Sequence, residues 1–183
     1  VQTMNVWDLR SSGYRTVVGT TKNIEFNESD CTLCGQCITH CPVGALTERD
    51  DRGILNDALA NPDVITVAQI APAVRTAWGQ DIGLNDVKAT TGKLVHALKM
   101  IGVDYVFDTN YSADLTIMEE GTELIDRIRG GGVLPLITSC SPSWVKFCEH
   151  NFPELIPNLS TCKSPHEMMG AIIKSYYAEK NGI

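Results

Sequence analysis

Apolar residues recur along this chain with two different periods. The run "VITVAQIAP" (64–72) is apolar and rich in β-branched residues, which predicts a buried strand. "TTGKLVHALKMIG" (90–102) sets Leu94, Val95, Leu98 and Ile101 at helical spacing, with Gly102 where a helix stops. "DYVFD" (104–108) reads as a short strand. "SADLTIMEEGTELIDRIRGGG" (112–132) reads as a helix with Ser112 as its N-cap and glycines at its end. "VLPLITSC" (133–140) predicts a third strand, and helices are expected around 142–151 and 165–179. Upstream, "YRTVVGTT" predicts a short strand and "NDALANPDVI" (56–65) a short helix running into a turn at Pro62.

Strands alternating with helices imply parallel β-α-β units with right-handed crossovers. The expected fold class is α/β, or α+β overall. A module of residues 1–50, in which the clustered cysteines Cys31, Cys34, Cys37 and Cys41 have the spacing of a ferredoxin-like iron–sulfur loop, is expected to precede a parallel β-α-β sheet subdomain (51–183). Ligands of such sheets bind beyond the carboxyl ends of the strands. Ala71-Pro72, Asp108-Thr109-Asn110 and Thr138-Ser139-Cys140 are expected to meet there.

Composition narrows the function classes. A net charge of −7 leaves no basic footprint for nucleic acid. No apolar run reaches the ~18 residues that span a bilayer. The start, "VQTMNVWDLRSSGYRTVV", has neither a signal-peptide pattern nor an initiating Met, so a longer parent chain is expected. Seven cysteines, an odd number with four clustered, indicate metal ligands in a reducing compartment rather than a disulfide framework.

The cluster is "CTLCGQCITHCP": Cys31, Cys34, Cys37 and Cys41, spaced C-x2-C-x2-C-x3-C with Pro42 next. This is the bacterial ferredoxin run, in which soft thiolates bind the irons of a 4Fe-4S cluster. Zinc sites instead pair two C-x-x-C arms at longer range. Cys41 either closes this cluster or ligates a second one, whose other cysteines residues 1–30 do not supply. Cys148 and Cys162 read as core thiols, His40 as a solvated loop side chain and Trp144 as a packing anchor.

"TSCSPSW" (138–144) resembles the first signature of FeFe-type (iron-only) hydrogenases, Thr-Ser-Cys-Cys-Pro-x-Trp. "CTLCGQCITHCPVGAL", "IAPAVR" (70–75), "ADLTIMEEGTEL" (113–124) and "FPELIPNLSTCKSP" (152–165) resemble that family's segments in its order. The resemblance implies hydrogen chemistry on an H-cluster, a cubane bridged to a di-iron centre and fed by 4Fe-4S clusters. It implies a proton-relaying thiol at Cys140. Glu120, Ser160, Glu123 and Arg127 would lead from there to solvent, and Ala71, Pro72 and Ala73 would wall the di-iron pocket. Independently, Glu120 and Glu123 share a helix face, and Arg127 lies at i+4 from Glu123.

One position departs from that pattern. The residue that ligates the H-cluster cubane is Ser141 here, and an alkoxide forms far less readily than a thiolate. The later cysteine-bearing signatures do not occur in these 183 residues. The first reading is part of a hydrogenase catalytic subunit that interconverts protons and electrons with dihydrogen. Its implied partners are an electron carrier such as ferredoxin, or NAD(P)H-oxidising iron–sulfur/flavin subunits, and a chain carrying the remaining H-cluster ligands. Its expected place is the cytoplasm or a hydrogen-producing organelle, reducing and anaerobic. The alternatives are an electron-transfer module on a degenerate hydrogenase scaffold within a larger redox complex, or a cluster-free regulatory relative.

Overall fold

A computed structural model describes residues 2–80, 82–85 and 87–183. The first elements are strands β1 (Trp7–Arg10) and β2 (Val17–Thr20), which pair antiparallel in the register Trp7↔Thr20 to Arg10↔Val17. Trp7, at the start of β1, packs on Phe26, with ring centroids 5.5 Å apart. The cysteine loop then runs into a short helix, α1 (Gln36–His40). Helix α2 (Arg52–Ala60) follows, beginning four residues before the expected segment.

Strand β3 (Val67–Ile70) leads into α3 (Pro72–Ala77), where Pro72 sits at a position that needs no N–H donor. Helix α4 (Thr91–Met100) starts where the Thr90 hydroxyl accepts the Lys93 N–H, and Gly102, at φ +107°, turns the chain into β4 (Tyr105–Asp108). Strands β3 and β4 pair in parallel from Val67↔Tyr105 to Ile70↔Asp108. This small parallel sheet among helices is the expected mixed architecture.

Helix α5 (Asn110–Gly130) starts two residues earlier than predicted. Asp108 Oδ1 accepts the Asn110 N–H at 2.9 Å, so the chain is helical before Ser112. Ser112 is not an N-cap: it is fully buried inside the helix and donates to the Thr109 carbonyl at 2.9 Å. The helix stops at Gly131, φ +69°.

The expected third strand does not form. Residues 133–140 make one isolated parallel bridge, Ile137↔Leu159, in which the Ile137 N–H donates to Asn158 O at 2.8 Å and the Ser160 N–H to Ile137 O at 2.7 Å. Pro135 has no donor to offer a ladder, and an apolar run alone does not separate a strand from an extended loop. Helix α6 (Pro142–Asn151) follows, then α7 (Pro165–Ile172), which continues through a π-helical turn (Ile173–Tyr177) into α8 (Ala178–Asn181).

These elements fall into two compact units. Val1–Glu48 with Gly130–Thr161 forms the first, and Arg49–Arg129 with Cys162–Ile183 the second. In the first, Cys148 is fully buried and donates to Phe152 O at 3.4 Å, while Asn158 Nδ2 reaches Pro135 O at 2.8 Å. In the second, Tyr177 sets its ring edge-on to Tyr105 and Phe107, at centroid distances of 5.6 and 4.9 Å. Thr116 donates to Met168 Sδ at 3.2 Å and registers α7 against α5.

Helix α5 reverses the usual sidedness of a surface helix. Its buried or half-buried positions include Ser112, Thr116, Glu120, Glu123 and Arg127. Tyr111, Ile117, Met118, Ile125 and Ile128 are exposed on other sides.

Candidate metal centre and proton-transfer residues

In the first unit, backbone geometry serves the thiols. Leu33 and Gly35 take positive φ, +58° and +74°, which folds the loop tightly around Cys34. The Leu33 N–H donates to Cys31 Sγ and the Ala45 N–H to Cys41 Sγ, each at 3.3 Å. Backbone N–H groups of Leu46, then Val43, hold the Cys41 thiol below its ordinary range, with smaller help from Ala45 and Gly44. The four thiols are half-buried. Cys31, Cys34 and Cys37 line a cavity of about 420 Å³ together with Met4, Trp7 and His40, while Cys41 is not among its lining residues.

Among the described residues, no three His, Cys, Asp or Glu side chains converge on one ion. A cubane does not ask for that, because its thiolates bind separate irons. Four thiols on a tight loop, two of them accepting backbone N–H bonds, suit a 4Fe-4S cluster. His40 Nδ1 lies 2.8 Å from Gln36 O.

The second unit places Ala71, Pro72 and Ala73 at the carboxyl end of β3, all exposed. Beside them Arg75 pairs with Asp108 at 2.9 Å. The Asn110 side-chain carbonyl, oriented by the hydrogen-bond network, accepts from the same guanidinium at 2.8 and 2.9 Å. This clamp ties α3 to the end of β4. The sequence predicts Asp108 and Asn110 at the strand end; for Arg75 it offers only a cation four residues after Ala71.

On α5, Arg127 bonds Glu123 Oε1 at 2.7 Å, and their side chains are 14% and 17% exposed. Cys162 donates to the other oxygen, Oε2, at 3.6 Å. Glu120 is half-buried one turn earlier. Cys140 and Ser160 belong to the first unit: Cys140 is exposed, Ser160 is buried, and Ser139 Oγ donates to Ser160 O at 2.8 Å. The Ile137–Leu159 bridge is what brings these distant segments side by side.

Comparison with known proteins gives this geometry its setting. Residues 64–182 match the family described as iron only hydrogenase large subunit, C-terminal domain, and residues 24–47 match a 4Fe-4S binding domain. The chain belongs to the iron-only hydrogenase large-subunit family. It is 47% identical to the NADP-reducing hydrogenase subunit HndD of Solidesulfovibrio fructosivorans, over all of this chain and 32% of that protein. A solved [FeFe]-hydrogenase shares 40% identity and a TM-score of 0.68 over 74% of this chain and 35% of its own. A weaker likeness, 29% over 82% of this chain and 34% of the other, is to the cytosolic iron-sulfur assembly component 3 of Bos taurus. The chain thus spans about a third of the length of these relatives.

The iron-only hydrogenases carry 4Fe-4S clusters and, in the complete enzyme, the H-cluster. The four-cysteine loop of this family member fits the former. At Ser141, the position where the family resemblance implies a cubane ligand, the residue present suits the H-cluster poorly. The Ser141 hydroxyl is the N-cap of α6 and accepts the Trp144 N–H at 3.5 Å. A neutral hydroxyl engaged in capping is a poor substitute for a thiolate. The Trp144 indole N–H is buried with no acceptor among the described residues. No helix among the described residues is long and apolar enough to cross a membrane.

Proposed function

We propose that this chain is the electron-entry and proton-handling part of an FeFe-type hydrogenase catalytic subunit that reversibly reduces protons to dihydrogen. The observation that carries the reading is the loop of Cys31, Cys34, Cys37 and Cys41, two of whose sulfurs accept backbone N–H bonds. When bound there, a 4Fe-4S cluster supplies one-electron transfer. N–H donation to the sulfurs favours the reduced, more negative cluster.

Residues 1–50 act as the iron–sulfur module and 51–183 as part of the hydrogenase domain. Protons are handled by Glu120, Glu123 and Arg127 in one unit and by Cys140 and Ser160 in the other. A carboxylate, a thiol and a hydroxyl can each give and take a proton. Arg127 fixes one oxygen of Glu123, leaving the carboxylate a defined orientation. Ala71, Pro72 and Ala73 wall the reaction pocket. Electrons come from a ferredoxin or an NAD(P)H-oxidising iron–sulfur/flavin subunit, a reading the HndD likeness supports. The setting is reducing and anaerobic, cytoplasmic or in a hydrogen-producing organelle. A partner segment or chain carries the remaining H-cluster ligands.

The test is anaerobic reconstitution of the chain joined to the remaining family segments, with iron, sulfide and a synthetic di-iron precursor, in the native and Ser141→Cys forms. Viologen-coupled hydrogen uptake in either form supports the reading. A bound, reducible cubane with no uptake in both forms overturns it. That result favours an electron-transfer module on a hydrogenase scaffold, the reading that the capping role of Ser141 supports.

A further inference from the structure

Cys162 has no role in the family resemblance, yet it touches the half-buried Glu123–Arg127 pair. Its position follows from local structure within the second unit. The Ser164 hydroxyl accepts the Glu167 N–H at 3.3 Å, and the Glu167 carboxylate accepts the Ser164 N–H at 3.2 Å. This reciprocal cap fixes how the chain enters α7. The Thr116–Met168 bond then registers α7 against the inner face of α5. Cys162, two residues before the cap, therefore reaches Glu123, nearly two turns along α5 from Thr116.

The contacts divide the carboxylate. Arg127 takes Oε1 at 2.7 Å and the Cys162 thiol donates to Oε2 at 3.6 Å. An ionised carboxylate only accepts, and a thiol is a weak donor that acts at longer range than a hydroxyl. Cys148, by contrast, spends its thiol on a backbone carbonyl in a packed core.

We infer that Cys162 is a positioning residue: its thiol grips the second oxygen of Glu123 and holds that carboxylate in one orientation beside Arg127. Its consequence for proton transfer rests on the hydrogenase reading above. The contact itself does not.

Two measurements test it. In the 183-residue chain, the infrared S–H stretching band lost on Cys162→Ala is assigned to Cys162. That band should lie at lower frequency than the band lost on the same substitution in a Glu123→Gln background, where the acceptor is neutral. Equal frequencies would overturn the grip. In the reconstituted holoenzyme, Cys162→Ala should lower hydrogen evolution about 3- to 10-fold, the loss expected for one hydrogen bond of ordinary net strength, as suits a weak thiol donor. The apparent KM for the electron donor should not change. Cys162→Ser, which keeps a donor, should recover the rate to within about twofold. Unchanged evolution in Cys162→Ala, or a Cys162→Ser variant as slow as Cys162→Ala, would also overturn it. A holoenzyme that evolves no dihydrogen defeats the hydrogenase reading alone, since the S–H band still decides the grip.

Discussion

Glu123 and Arg127 meet at 2.7 Å on the inward face of α5, both largely withdrawn from solvent. Removing one partner strands the other charge in a poorly hydrated place. Arg127→Met should therefore destabilise the chain by about 1–3 kcal/mol, less than a fully buried pair would cost. The double variant Glu123→Gln/Arg127→Met should regain part of that loss. Denaturant melts of the single and double variants measure it, and a double variant as unstable as the sum of its singles would contradict the coupling.

The four-cysteine loop makes a second prediction. Anaerobic reconstitution should leave about four irons per chain in a cubane. Cys34→Ser should abolish most of the bound iron. Cys148→Ser should leave it intact, because Cys148 is fully buried in a helical core. Iron and sulfide analysis reads both, and equal loss in the two variants would remove the loop from consideration as the binding site.

Ser141 offers a third. Its hydroxyl caps α6 through a long bond of 3.5 Å to the Trp144 N–H. Ser141→Ala should then cost no more than about 1 kcal/mol. Ser141→Asp, a stronger cap that also complements the helix dipole, should match or exceed the native stability. Thermal unfolding of the two variants is the measurement.

Asp104 ties stability to acidity. Its carboxylate accepts the Thr66 N–H at 2.7 Å and the Thr66 hydroxyl at 2.8 Å, and these bonds hold its pKa below the ordinary carboxylate value. The folded pKa is the lower one. The contribution is therefore complete above the unfolded pKa of about 4 and is lost as pH falls through the folded value. Asp104→Asn should be less stable than the native chain at pH 7, with the gap narrowing below about pH 4. A gap that stays constant down to strongly acid pH would show that the Thr66 bonds do not depend on the charge.

Much of this protein is decided by neighbours in sequence. The spacing of Cys31, Cys34, Cys37 and Cys41 specifies a cluster loop, because ligand reach over two or three residues is a local matter. Leu94, Val95, Leu98 and Ile101 specify α4, and the i,i+4 relation of Glu123 to Arg127 specifies their pair, since one helical turn suffices to join them.

The remainder came only with tertiary structure. Residues 133–140 carry an apolar pattern fit for a strand, yet Ile137 bonds to Asn158 and Ser160 instead of entering the sheet, a choice set by which partner the chain brings near. Ser112 has the chemistry of a cap and is buried inside the helix, because Asp108 starts the helix earlier. The sequence of α5 spaces Tyr111, Ile117, Met118, Ile125 and Ile128 along the helix and does not say that they are its exposed residues. The grip of Cys162 on Glu123 joins residues 39 positions apart. Local spacing settles what a single turn or loop can reach, and long-range bonds settle which of several equally good local choices is made.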